Sequence, residues 1–174
     1  MTQSHPAPAM RAARRTLLAA IAAAALLSPL AGGLAHAGET LLVVDGKIEG
    51  AAPRSFDMDA LRQLPRIEFT TSTVWTQGAT RFAGVALSDL LTAVGAQSDV
   101  LRLVAINDYA IDIPRADVAP GGAMIAYEMD GKPMSVRSKG PLWLVYPYDS
   151  NVAFRTEAIY ARSIWQLVRI ELRD

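Results

Sequence analysis

Tyr127–Asp149 reads YEMDGKPMSVRSKGPLWLVYPYD, and the reading of this stretch decides the fold. Asp130-Gly131 is a tight-turn dipeptide that needs a positive φ at the glycine. A basic loop follows, Arg137-Ser138-Lys139-Gly140. Pro141–Tyr146 is apolar on both faces, which predicts a strand in the middle of a sheet. The basic loop therefore opens from the rim of a buried strand, where rigid scaffolds carry binding residues. The plainer reading is a hairpin followed by a core strand.

Upstream of the stretch, Ala123–Glu128 is a strand that Gly121-Gly122 introduces, and Arg115–Gly122 is loop. Val100–Ile106 and Tyr109–Ile113 are strands joined by Asn107-Asp108, two residues that tolerate left-handed backbone; Pro114 stops the second. Leu87, Leu90, Leu91 and Val94 form an amphipathic helical stripe closed by Gly95. Thr80–Gly84 is a short strand. Arg66–Val74 alternates Ile67, Phe69, Thr71 and Thr73 with polar residues, as a strand does. Asp57–Leu64 is a helix with Asp57 as its N-cap, Phe56 and Leu61 as its staple, and Pro65 as its stop. Thr40–Val44 is a first strand, and Lys47–Ser55 a loop. Downstream, Pro147–Ser163 is irregular or partly helical. Ile164–Arg173 closes the domain as a strand with one wet face. Seven or eight strands and two or three short helices make an α+β domain with a mixed or mainly antiparallel sheet.

The N-terminus has the form of a secretory signal. Arg11, Arg14 and Arg15 precede the apolar run Leu17–Leu27, and Ala35-His36-Ala37 fits a cleavage site. Residues 1–37 are expected to be removed, which leaves residues 38–174 as one domain in the periplasm. Arg14-Arg15 leaves two export routes open, a plain secretory one and a twin-arginine one.

Both histidines, His5 and His36, lie in this leader, and the chain has no cysteine. Residues 38–174 therefore exclude disulfides, thiolate nucleophiles and Ser-His-Asp relays. Common zinc, iron–sulfur and blue-copper sites lose their donors as well. Acid–base chemistry would fall to Asp, Glu, Lys or Tyr. The leader takes three of the 17 basic residues and no acids. That leaves 14 basic against 17 acidic residues, a net charge of −3, too mild for a nucleic-acid partner.

Three segments, in order, carry a resemblance. Phe82–Leu91, FAGVALSDLL, is similar to the F-x-G-V-x-L-x-D-L-L segment of the sulfite-oxidase-type molybdopterin-binding domain. Ala126–Met134, AYEMDGKPM, resembles its A-Y-x-M-N-G-x-P-L hairpin. Gly140–Pro147, GPLWLVYP, resembles its G-x-P-L-R-L-V-x-P strand, with Trp143 in place of the arginine. In that family a cysteine after an early strand ligates molybdenum. The corresponding loop here, near Thr73-Val74-Trp75, has no thiol to offer, and neither a hydroxyl nor an indole replaces that soft donor.

The resemblance implies the fold without the redox chemistry. It points to a short periplasmic subgroup thought to bind a free reduced pterin and to signal through a membrane-bound cyclic di-GMP enzyme. A molybdopterin-dependent oxidoreductase and a ligand-free interaction module are the alternatives.

A pterin, reduced or molybdopterin-like, calls for an aromatic partner to its ring. Its edge calls for a carboxylate taking two parallel hydrogen bonds, and its carbonyl for a cation or an N–H. Trp75 is the expected stacking residue, and Asp108 or Asp149 the expected edge acceptor. Arg81, Asn107, Tyr109, Arg137, Lys139 and Tyr148 are polar candidates on loops at strand ends. Plainer roles stand beside these: a core or rim tryptophan, a turn-shaping Asp108, a solvated basic loop, a surface ion pair for Arg81, and a loop start at Tyr148-Asp149.

Overall fold

The computed structural model describes residues 38–174. The expected leader, its cleavage site and the paired arginines lie outside the described residues. Among the described residues, ten strands form two five-stranded sheets.

In the first sheet, β1 (Leu42–Gly46) pairs with β2 (Arg54–Phe56) on one side and runs parallel to β10 (Leu167–Arg173) on the other. The sheet continues antiparallel from β10 to β5 (Val100–Ala105) and β6 (Ala110–Pro114). In the second sheet every pairing is antiparallel. β3 (Arg66–Ser72) pairs with β4 (Ala79–Ala86), and β4 with β7 (Met124–Met129). The far edge of β7 is shared by β8 (Lys132–Pro133) and β9 (Trp143–Val145).

The local signals act as their chemistry requires. Asp57 caps α1 (Met58–Arg62) by accepting from Ala60 N at 2.8 Å, and Leu61 is fully buried beneath it. The leucine stripe of α2 (Leu87–Ala93) is buried throughout, and Gly95 follows at φ +61°. Asp130 and Gly131 both have positive φ, the form that matches the twist of a two-residue hairpin. The main core gathers Leu42, Leu103 and Ile170 from the first sheet with Val85, Ile125 and Leu144 from the second. A smaller core on the other face of the second sheet holds Phe82, Met124 and Trp143.

Four expectations need correction. Residues 142–146 of the expected strand Pro141–Tyr146 are buried, but β9 is an edge strand with only β7 as a regular neighbour. Its free side is covered by the incoming C-terminal segment: Leu144 N donates to Ile164 O at 2.8 Å, and Leu167 N to Leu142 O at 3.0 Å. Two apolar faces report burial, which a crossing segment supplies as well as a flanking strand does. Ile164–Arg173 is not one strand either. Gln166 at φ +54° divides it, so that Trp165 bridges to Trp143 in the second sheet while β10 enters the first. The early strand ends at Ser72, because the Thr73 hydroxyl turns back to accept from Trp75 N at 3.0 Å. Lys47–Ser55, expected as loop, ends inside β2.

Candidate functional site

The loop Thr73–Gly78 connects β3 to β4 and is tied internally, Thr73 Oγ1 to Thr76 Oγ1 at 2.8 Å. It projects Trp75 into a group of aromatic rings. Trp143, Tyr148, Tyr160 and Trp165 surround it edge to face, with centroids 5.8, 6.4, 5.9 and 5.9 Å away. Such tilted contacts set the positive edge of one ring against the negative face of the next.

Beside this group lies a pocket of about 330 Å³. Trp75 and Trp165 line it together with Tyr160 from α3 (Glu157–Arg162), and Asn107 and Tyr109 from the β5–β6 turn. Ala105, Ala161, Ser163 and Ile164 complete the lining, so no lining residue carries a charged side chain. Lys139 supplies the nearest cation on the aromatic group. Its Nζ stands 4.2 Å from the Trp165 ring centroid and 5.3 Å from that of Trp143. Lys139 itself adopts φ +71°, and its carbonyl accepts from Gln166 N at 3.1 Å.

The expected residues therefore divide. Trp75, Asn107 and Tyr109 line one pocket, and Lys139 lies against its aromatic group. Tyr148 is buried behind the pocket, edge to face with Trp75, and its hydroxyl meets Ser163 Oγ at 2.6 Å. Burial pushes that phenol up to about 12.

The two carboxylates offered for a pterin edge stand elsewhere. Asp108 occupies the exposed hairpin turn at φ +62°. Asp149 accepts from Ser72 N at 2.6 Å and pairs with Arg155 at 3.5 Å. The Ser72 N–H, more than any other group, holds this carboxyl below the usual range, with help from Arg155. Neither carboxylate lines the pocket. Arg81 lies on β4 against the β7–β8 hairpin, where its N donates to Asp130 Oδ1 at 3.0 Å. Arg137 is exposed on the short turn Val136–Ser138, outside the lining.

Tyr160, Ser163 and Trp165 were not foreseen in the pocket. Tyr160 and Ser163 come from the segment read as irregular, and Trp165 from the start of the segment read as the closing strand, where nothing local marks it as a pocket residue. Five of the six exposed large apolar side chains among the described residues lie on or beside the pocket's segments: Val74, Ile106, Tyr109, Val136 and Trp165. Val136 reaches this region through its carbonyl, which accepts from Gln166 Nε2 at 2.7 Å.

The donors also bear on which part of a metal–pterin group the site could hold. The chain has no cysteine, and the described residues contain no group of three His, Cys, Asp or Glu able to hold a metal. The hydroxyls of Thr73 and Thr76 in the β3–β4 loop are hydrogen-bonded to each other. The aromatic pocket suits a flat ring; the loop does not suit a thiolate-bound metal.

Residues 36–153 match the family described as the oxidoreductase molybdopterin-binding domain. Among solved structures, the chain is similar to the sulfane dehydrogenase SoxCD from Paracoccus pantotrophus, with a TM-score of 0.59 and 21% identity. The likeness covers 76% of this chain and 38% of that one, so the chain spans well under half of the relative's length. At that identity the likeness is one of fold. No curated protein sequence matches the chain. The family match covers more than half of the chain, and the chain belongs to the oxidoreductase molybdopterin-binding domain family.

Proposed function

We propose that this member of the molybdopterin-binding family is a non-catalytic periplasmic protein that binds a free reduced pterin and reports its occupancy to a membrane partner. The observation that carries the reading is the pairing of an aromatic, uncharged pocket with a loop that has no thiolate. A flat bicyclic ring in the pocket would lie against the parts of Trp75, Trp165 and Tyr160 that line it, by stacking or edge contact. Asn107 and the phenol of Tyr109 are the polar groups that would orient it, and Lys139 would meet a ring carbonyl at the rim. With both candidate carboxylates outside the pocket, backbone carbonyls or the Asn107 amide would accept from the pterin edge.

The secretory form of residues 1–37 supports the periplasmic setting. The apolar side chains around the pocket support a protein partner, because exposed apolar patches mark interaction sites. A membrane-bound cyclic di-GMP enzyme is the partner that the family resemblance suggests.

The test is to purify the exported protein from its native host and identify its small-molecule content by mass and fluorescence. A stoichiometric pterin without molybdenum is expected. A pocket that is empty in every preparation overturns the reading. The family match also favours a molybdopterin-dependent oxidoreductase, and one molybdenum per chain with turnover of an electron donor would establish that alternative.

A further inference from the structure

Tyr148 and Asp149 stand side by side where the chain leaves β9, and neither lines the pocket. Each holds a different wall of it. Asp149 Oδ2 accepts from Ser72 N at 2.6 Å, and Asp149 N donates to Thr71 Oγ1 at 3.0 Å. Ser72 ends β3, so these two bonds fix the root of the loop that carries Trp75. The Tyr148 hydroxyl meets Ser163 Oγ at 2.6 Å, and Ser163 Oγ donates to Ile159 O at 2.8 Å. That serine precedes Ile164-Trp165, the opposite wall. Arg155 then fixes the dipeptide itself: its Nε donates to Tyr148 O at 2.8 Å, and its Nη2 reaches Asp149 O at 3.3 Å.

We infer that Tyr148-Asp149 is the positioning device of the pocket, setting the distance between the wall that carries Trp75 and the wall that carries Trp165. The chemistry supports this division of labour. Asp149 offers a charged acceptor to a backbone N–H, a bond stronger than a neutral one. Thr71 is buried, and its hydroxyl would lack the Asp149 N–H if the dipeptide moved. Tyr148 is buried too, so its hydroxyl has no water to replace Ser163. Both residues act through others and are positioning residues.

The inference rests on the reading that the pocket takes a planar ring, and its test separates the two. The near-ultraviolet circular dichroism of the ligand-free protein reports the packing of Trp75 against its neighbours. Quenching of tryptophan fluorescence by 7,8-dihydroneopterin reports binding. Asp149→Ala is expected to weaken the near-ultraviolet signal and to lower dihydroneopterin affinity roughly tenfold, the loss of one charge-assisted bond. Asp149→Asn keeps an acceptor for Ser72 N and is expected to restore most of both.

Acidification adds a readout of the charge on Asp149. The groups facing the Asp149 carboxylate are the Ser72 N–H, the Thr71 hydroxyl and the Arg155 guanidinium. The wild-type signal should shift modestly toward that of Asp149→Asn as pH drops below the ordinary carboxyl value of 3.8, because the protonated carboxyl keeps only a neutral acceptor for Ser72 N, and Asp149→Asn should lack that step. Tyr148→Phe removes one hydroxyl with little risk to folding and should lower affinity in the same assay.

The inference is overturned if Asp149→Ala keeps wild-type dichroism and affinity, if Asp149→Asn is as damaging as Asp149→Ala, or if Tyr148→Phe binds like wild type. A wild-type protein that binds no dihydroneopterin, beside an Asp149→Ala variant with altered dichroism, removes support from the pterin reading and leaves the positioning role standing.

Discussion

Lys139 holds its ammonium 4.2 Å from the centroid of the Trp165 ring, on the exposed side of the aromatic group. A cation over an indole face is attracted by the ring quadrupole, by about 0.5–1 kcal/mol where water still reaches it. Lys139→Met should therefore cost stability of about that size in urea titration. It should also change tryptophan emission and lower pterin affinity several-fold. A variant that leaves affinity untouched would place the lysine outside the binding surface.

Trp75 touches four other aromatic rings, so its removal empties the middle of the group. Trp75→Ala should destabilise the domain by about 3 kcal/mol, near the lower end for aromatic truncation because the residue is only half-buried. Trp75→Phe should recover a substantial part of this. Chemical denaturation measures both, and ligand binding should be absent in the alanine variant.

Gly84 lies where the pairing of β4 with β7 shifts register. A Cβ there would meet Ile125 O at 2.0 Å and Ala126 Cα at 2.7 Å, both backbone atoms that cannot yield cheaply. Gly84→Ala should abolish soluble expression. Gly121→Ala is the contrasting variant. It sits at φ +75° with open space around its Cβ, so only backbone strain of about 1 kcal/mol opposes it. Comparing soluble yield and melting temperature separates collision from strain.

Burial pushes the phenols of Tyr146 and Tyr148 up to about 12. Their neutral forms are favoured in the folded chain, so this contribution to stability is fully present below pH 10. It is lost as pH rises from 10 through about 12, because the unfolded chain releases these protons first. An absorbance titration at alkaline pH should show a late fraction that moves to lower pH when the protein is unfolded in urea.

Acid acts in the opposite direction. Asp57 is lowered chiefly by the Ala60 N–H it caps, and Asp149 chiefly by the Ser72 N–H. Both contribute stability above the ordinary carboxyl value of 3.8, and both lose it as pH falls through their lower folded values. Melting temperatures taken down the acid range should therefore fall less steeply for Asp57→Asn than for wild type.

The sequence by itself determined what short-range physics controls. The cap at Asp57, the buried stripe of α2, the Asp130-Gly131 turn and the antiparallel bias each depend on a few neighbouring residues and on periodicity. The absence of cysteine, and of histidine after residue 37, also needed no coordinates. Only the tertiary structure decided which side chains meet. Trp165 reaches Trp75 because Gln166 turns the chain out of one sheet and into the other, and no local pattern announces that crossing. Asp149 is engaged with Ser72, 77 positions away in the chain, so a carboxylate that composition offers to a ligand is already committed within the fold. Periodicity says which face is buried; the partner across that face is set by long-range packing, and the pocket is made of such partners.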